Sequence, residues 1–213
     1  MNYQILHDNN KSMIFVGTGT MSISICESMV AQGHLAVALS IEEVIAQSAS
    51  WVNDHQFIVV GSDVKFKIMA TDAIKNLGGS FFSIVHKYNI MHPTTVIGRG
   101  VYVAGFNSFA VKGIQIKDHV FISTHNTFGH YAVVDNYSHI SSNCYISKSK
   151  IGQGVVVGSY ALITNENIDG YTDIVDYTNI KSQSRIVKSI TKSGTYYGNR
   201  LVDEQNSLQL RIL

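Results

Sequence analysis

The feature that most constrains this chain is an aliphatic or phenylalanine residue that returns every sixth position through its second half. It runs Ile97, Val103, Phe109, then Ile116, Ile122, Phe128, Val134, Ile140 and Ile146. After a one-residue deletion it continues as Ile151, Val157 and Ile163, and after another as Ile168, Ile174, Ile180 and Ile186. Four places after an anchor the residue is mostly small or β-branched, as at Val101, Gly113, Val120, Ala132, Ser138, Cys144, Val155, Ala161, Thr172, Thr178 and Ser184. Three six-residue strands with tight corners close one triangular coil; the anchor fills its interior and the small residue fits the corner. One coil cannot bury its inward face alone, so stacking makes the core. The period predicts a left-handed parallel β-helix of about fifteen hexads, roughly five coils, from about Ile97 to Ile186. An antiparallel sandwich would instead alternate with period two between turn clusters roughly 8–12 residues apart.

Before the repeats the pattern changes. Apolar runs at Met13–Val16, Leu35–Leu39, Phe57–Val60 and Phe81–Val85 alternate with helical stretches at Met21–Gln32, Ile41–Gln47 and Val64–Leu77. Strands alternating with helices predict a small parallel-sheet α/β domain of Rossmann-like type. The only proline, Pro93, marks the passage into the first coil. The expected division is 1–92 for the α/β domain, 93–187 for the β-helix and 188–213 for a C-terminal tail. Gly17-Thr18-Gly19 follows a strand and precedes a helix, where backbone amides and a helix N-terminus can meet a phosphate. Ser22 stands where the dinucleotide fingerprint has its third glycine, and no acidic residue ends the second strand. Short glycine turns also serve strand-to-helix packing.

Composition narrows the function classes. With 213 residues, 45% of them hydrophobic, the chain has ample material for a packed core. A net charge of +1 without a Lys/Arg cluster gives no footprint for nucleic acid or an anionic membrane. The first ten residues are polar and no run reaches transmembrane length, so neither signal peptide nor anchor is expected and a cytoplasmic protein is. Cys26 and Cys144 fall in a helix and at a repeat corner and read as two reduced buried thiols.

An α/β domain joined to such a helix resembles the bacterial nucleotide-sugar acetyltransferases of the bacillosamine-pathway type and the related sialic acid O-acetyltransferases. The resemblance spans Met13 to about Asn199. It is carried by Ile14-Phe15-Val16-Gly17-Thr18-Gly19, Val59-Val60-Gly61, Ile84-Val85-His86 with His92-Pro93, and above all by Phe128-Gly129-His130 through Tyr137-Ser138-His139-Ile140-Ser141. It implies a homotrimer, with acetyl-CoA along the outside of the β-helix at a subunit boundary and a nucleotide-linked amino sugar as acceptor, in glycan or surface-polysaccharide synthesis. It makes His130 the general base, a task that suits an imidazole near neutral pH. It further assigns Gly17, Thr18, Gly19, Gly61, Ser62 and His86 to the acceptor, and His139, Gly158 and Gly198 to the CoA; no metal is implied. The chain departs from the family where an acidic residue commonly follows the base (here Tyr131), at the end of the second strand (Leu39-Ser40-Ile41-Glu42), and at a Gly-x-Pro-type turn (here Gly198-Asn199-Arg200). Asp135 or a neighbouring subunit is then the candidate to orient His130.

Two other readings stay open at this point. His125 and His130 have the spacing of two zinc ligands in γ-class carbonic anhydrases, which are also left-handed β-helices. A third histidine would have to come from an earlier coil, where Asn107 stands. A non-catalytic relative that keeps the scaffold and binds a sugar nucleotide or partner would also fit the three departures.

Overall fold

The computed structural model describes residues 3–7, 11–17, 19–167 and 170–203. Its dominant feature is a three-sided parallel β-helix of very short strands. One face stacks Tyr102–Val103, Phe121–Ile122, His139–Ile140, Val156–Val157 and Asn179–Ile180; the next stacks Ser108–Phe109, Thr127–Phe128, Tyr145–Ile146 and Leu162–Ile163; the third stacks Gln115–Ile116, Val133–Val134 and Ser149–Ile151. From Val103 to Ile186 the described anchors are at most 2% exposed and form one continuous core. Inside it Phe109 lies on Phe128, centroids 4.7 Å apart and planes within 7°. Each such buried side chain contributes about 1.5–3 kcal/mol.

The corners carry the strain. Among the described residues eleven non-glycines have positive φ, and most stand in columns up the corners: Phe106, His125, Asn143, Tyr160 and Gln183 on one, His119, Tyr137 and Tyr177 on another. A left-handed L-residue costs roughly 1–2 kcal/mol, and stacking within a column offsets it, as Phe106 does on His125 and His119 on Tyr137.

Three details differ from the sequence expectation. The helix opens earlier than Pro93: strand Ser83–His86 pairs in parallel with Tyr102–Val103 and so belongs to the first face. The buried corner place expected for Gly113 is taken by Ile114, because one extra residue separates Phe109 from Ile116. Leu162–Ile163 and Thr172–Ile174 are strands of successive faces, where the period predicts a further strand at Ile168 between them. Ile168, read as an anchor, lies outside the described residues.

The N-terminal part begins with β1 (Tyr3–Leu6), antiparallel to Ser83–His86 at the end of the first face. A parallel sheet follows, made of β2 (Ser12–Val16), β3 (Ala36–Leu39), β4 (His55–Val59) and β5 (Ser80–Phe81) in the order β3-β2-β4-β5. The expected run Phe81–Val85 is thus divided between this sheet and the β-helix. Side chains of β2 alternate between its faces. Met13 and Phe15 join Ile25, Cys26 and Met29 of α1 (Thr20–Val30) and the outer rings of Tyr102 and Phe121. Ile14 and Val16 pack with α2 (Ile41–Ile45), α3 (Ala49–Asn53) and α4 (Val64–Asn76). The first face of the β-helix is therefore covered by the α/β sheet. Ser40 and Glu43 form a capping box on α2, and Asp63 caps α4 through the Phe66 amide. Among the described residues no helix is long and apolar enough to cross a membrane. Cys26 and Cys144 are both free and buried, in different cores.

Candidate active site

His130 stands on a four-residue turn at a corner. The Ala132 amide donates to the Gly129 carbonyl at 3.3 Å, and Tyr131 takes the positive φ (56°) such a turn needs at its third residue. Gly129 is required: a Cβ there would lie 2.2 Å from Ser147 Oγ. The His130 carbonyl accepts from the Lys148 amide of the next coil at 2.9 Å. The imidazole itself is exposed and makes no side-chain hydrogen bond among the described residues. Asp135 does not reach it, being bonded to Lys117 at 2.8 Å and to the Asn136 amide. Burial works against the Asp135 charge, but these partners hold its pKa below the usual range.

The glycine turn lies at the carboxyl edge of the α/β sheet. β2 connects outward to β3 while β4 connects to β5 on the other side, so β2 and β4 flank the point where an open parallel sheet offers a crevice. Gly17 sits there with φ of 136°, and a Cβ on it would meet the Val60 carbonyl at 3.0 Å. The Ser22 hydroxyl, in the place of the third glycine, donates to the Gly17 and Gly19 carbonyls and ties the turn to α1. Gly19 and Gly61 have open space around them, and Ser62 is exposed beside Gly61. The first turn of α1 has no side-chain cap. Thr18 lies outside the described residues.

A cavity of about 540 Å³ opens between α1 and the β-helix. Met21, Ser24, Ile25 and Ser28 of α1 line one wall; His86, Tyr88, Phe106, Tyr102 and Phe121 line the other. Among the described residues no Asp, Glu, Lys or Arg lines it. His86 is buried, its ring edge-on to Tyr3 at 4.9 Å, and its Nδ1 accepts from the Tyr88 amide. Burial pushes the His86 pKa down. Tyr88, Phe106 and the α1 residues were not among the sequence candidates. A signal existed: Tyr88, Phe106 and His125 each stand three places after an inward residue, Val85, Val103 and Ile122, and so share one corner. His130 stands on a different corner, between the second and third faces, and does not line this cavity.

None of the three residues expected at the CoA lines the cavity. His139 is 8% exposed, stacked on Phe121 under the α/β domain, so it presents no edge to an outer groove and serves the domain contact instead. Gly158 is a close-packing glycine whose Cβ would lie 2.5 Å from the Ser182 amide nitrogen. Gly198 turns the hairpin between Thr195–Tyr197 and Arg200–Asp203 with φ of 59°. The zinc reading finds no support: His125 is stacked on Phe106, and among the described residues no three His, Cys, Asp or Glu side chains form a group that could hold a metal.

No family model matches the chain, and no curated protein matches it. Solved structures do. The acetyltransferase domain of PglB from Neisseria gonorrhoeae, also solved with acetyl coenzyme A, covers 91% of this chain and all of its own, at 20% identity and a TM-score of 0.75. WeeI from Acinetobacter baumannii covers 91% and 99%, at 11% identity and a TM-score of 0.75. PerB from Caulobacter crescentus, in complex with CoA and GDP-perosamine, covers 90% and 95%, at 14% identity and a TM-score of 0.72. Over nine-tenths of its length, this chain shares the fold of these three structures.

Proposed function

We propose that the protein is an acetyl-CoA-dependent acetyltransferase that N-acetylates a nucleotide-activated amino sugar in glycan or surface-polysaccharide synthesis, working in the cytoplasm as a homotrimer. The observation that carries this reading is an exposed histidine on a backbone-fixed corner of a β-helix whose fold is shared with PglB, solved with acetyl coenzyme A, and PerB, solved with CoA and GDP-perosamine. The six-residue period and left-handed corner residues support the left-handed hexapeptide class.

In this reading His130 removes the proton as the acceptor nitrogen attacks the thioester carbonyl. Backbone amides stabilise the oxyanion, the C–S bond breaks, and the proton held by His130 passes to the sulfur, so that CoA leaves as the thiol. No covalent acyl-enzyme forms. Burial raises the pKa of both Cys26 and Cys144, which argues against either as nucleophile. The sugar nucleotide would place its phosphates at Gly17–Gly19, Gly61 and Ser62, by the uncapped start of α1. An uncharged part would enter the cavity beside His86. His130 and the cavity stand on different corners of one chain, so a second copy would bring them together. Gly158 and Gly198, on the cavity's side of the helix, would border the CoA from that neighbouring copy.

The test is CoA release from purified protein with acetyl-CoA and a panel of amino-sugar nucleotides and sialic acid. Release with an amino-sugar nucleotide, reduced about 10²–10⁴-fold by His130→Ala and little by His125→Ala, is expected. Release with sialic acid alone would make it an O-acetyltransferase. No release with any acceptor, or full turnover in His130→Ala, would overturn the assignment. Sedimentation showing a monomer at micromolar concentration would defeat the shared site.

A further inference from the structure

We infer that Tyr171 is a positioning residue for His130, holding in place the turn on which the imidazole stands; this rests on the reading of His130 as the general base. The corner that carries His130 is short on its own coil, 129–132, and shorter on the next, 147–148. On the coil after that, the strand Leu162–Ile163 and the strand Thr172–Ile174 of the next face stand further apart in sequence. The two ends of this connection are stapled together. Asn165 Nδ2 donates to the Tyr171 carbonyl at 2.9 Å and to Thr172 Oγ1, and the Thr172 hydroxyl donates to the Thr164 carbonyl. Thus fixed, Tyr171 reaches back past Lys148 and its hydroxyl donates to the Tyr131 carbonyl at 2.8 Å.

The bond closes a frame around His130. Gly129 on one side is fixed by its own amide, which donates to the Ile146 carbonyl, and by the contact with Ser147. The His130 carbonyl is held by the Lys148 amide, whose own carbonyl accepts from Thr172. On the other side Tyr131 is half exposed, in a strained positive-φ conformation, with its ring over Gly113, where a Cβ would lie 2.5 Å away. Its carbonyl is held by a residue forty positions away, Tyr171. A strained residue keeps its conformation only where its surroundings over-determine it. Rotation of the Tyr131–Ala132 peptide would loosen the turn closed by the Ala132 amide on the Gly129 carbonyl, and with it the His130 backbone between them; a misplacement of about 1 Å can cost on the order of 10²-fold in rate.

Tyr171→Phe keeps the ring and removes only the hydroxyl. Two readouts test it. In protein labelled with ¹³C at histidine Cε1, the His130 signal, identified by its loss in His130→Ala, should shift or broaden in Tyr171→Phe while the other histidine signals stay. In turnover, kcat should fall by about tenfold with KM for acetyl-CoA and acceptor changed less than about twofold. Asn165→Ala, which frees the same loop at its base, should reproduce the signal change. An unmoved His130 signal in both variants overturns the proposal, as does unchanged kcat in an enzyme that His130→Ala inactivates. Absence of wild-type turnover defeats the acetyltransferase reading instead, and the spectrum still decides whether Tyr171 holds His130.

Discussion

The imidazole of His139 lies flat on the ring of Phe121, centroids 4.8 Å apart and planes within 2° of parallel. Phe121 in turn stacks on Tyr102 at 5.0 Å. These are the outward residues of the first face, and the α/β domain rests on them. The contact is also where the polar cost of the fold is concentrated. Nδ1 of His139, Nδ1 of His119 and Oγ1 of Thr71 have no hydrogen-bond partner among the described residues, and fully buried Lys67 donates to the Ser138 and His119 carbonyls.

That contact should be acid-sensitive. Burial, with Lys67 nearby, pushes the His139 pKa down to about 4. Burial, Lys75 and Lys67 do the same to His119, also to about 4, with Asp118 opposing. Both rings regain an ordinary pKa near 6.5 when unfolded. The unfolded chain therefore binds more protons between about pH 4 and 6.5, so their contribution is intact above that window and lost as pH falls through it. Denaturant titrations should show stability dropping across this range, and His139→Phe should flatten the drop. An equal slope in a His119→Phe/His139→Phe double variant would refute it.

Lys67 gives the complementary window. Burial brings its pKa from 10.5 to about 7, with Asp63 acting in the opposite sense. The unfolded chain again holds the extra proton, now between about pH 7 and 10.5, so this residue makes stability rise with pH there. Lys67→Met keeps most of the volume, and the Ser138 carbonyl still accepts from the Phe121 amide. The variant should lose the rise and be no less stable than wild type at about pH 6.5. A variant markedly less stable at that pH would mean that the charged lysine is a net stabiliser.

The two glycines expected at the CoA should respond differently to alanine. At Gly158 the added Cβ would meet the backbone of residues 180–182 at 2.5–2.9 Å, and backbone cannot swing aside as a side-chain tip can. A loss of about 1–3 kcal/mol is expected from overpacking. At Gly198 the nearest atom is 3.5 Å away and only the positive φ is penalised, so about 1 kcal/mol is expected. Urea midpoints of the two variants measure the difference, and a reversed order would contradict this packing.

The sequence period exposed the β-helix because every coil repeats one physical demand, an apolar side chain pointing inward, and sixth-place residues such as Ile122, Phe128 and Val134 answer it. Three-dimensional stacking was partly legible as well, since Phe106 and His125 occupy the same place after successive anchors. What the period could not show is where the chain leaves it. Ser83–His86 reads as an α/β strand because its apolar run is the same in either sheet, and only the pairing of Ile84 with Tyr102 decides. The burial of His139 depends on what covers an outward face, which is information held by α4 and the α/β sheet, far away in sequence. His130 is singled out by its motif alone, whereas Ser147, Lys148 and Tyr171, which touch or bond the turn that carries it, lie on two later coils.

The cavity beside α1 offers a prediction that leaves fold and base untouched. Ser24 lies on an exposed part of α1 and lines the cavity opposite Tyr88 and Phe106. Ser24→Phe would project a ring into a space of about 540 Å³ without displacing any core residue. Surface substitutions of this kind change stability by roughly 0.5 kcal/mol or less, so the thermal midpoint and the oligomeric state should hold. If the cavity seats the uncharged part of the acceptor, its KM should rise by about tenfold or more, because lost pocket volume excludes that part directly. The KM for acetyl-CoA should not move, since the CoA is assigned to the outer groove. Inhibition of both substrates together would place the cavity at the CoA, and unchanged kinetics for both would remove it from the active site.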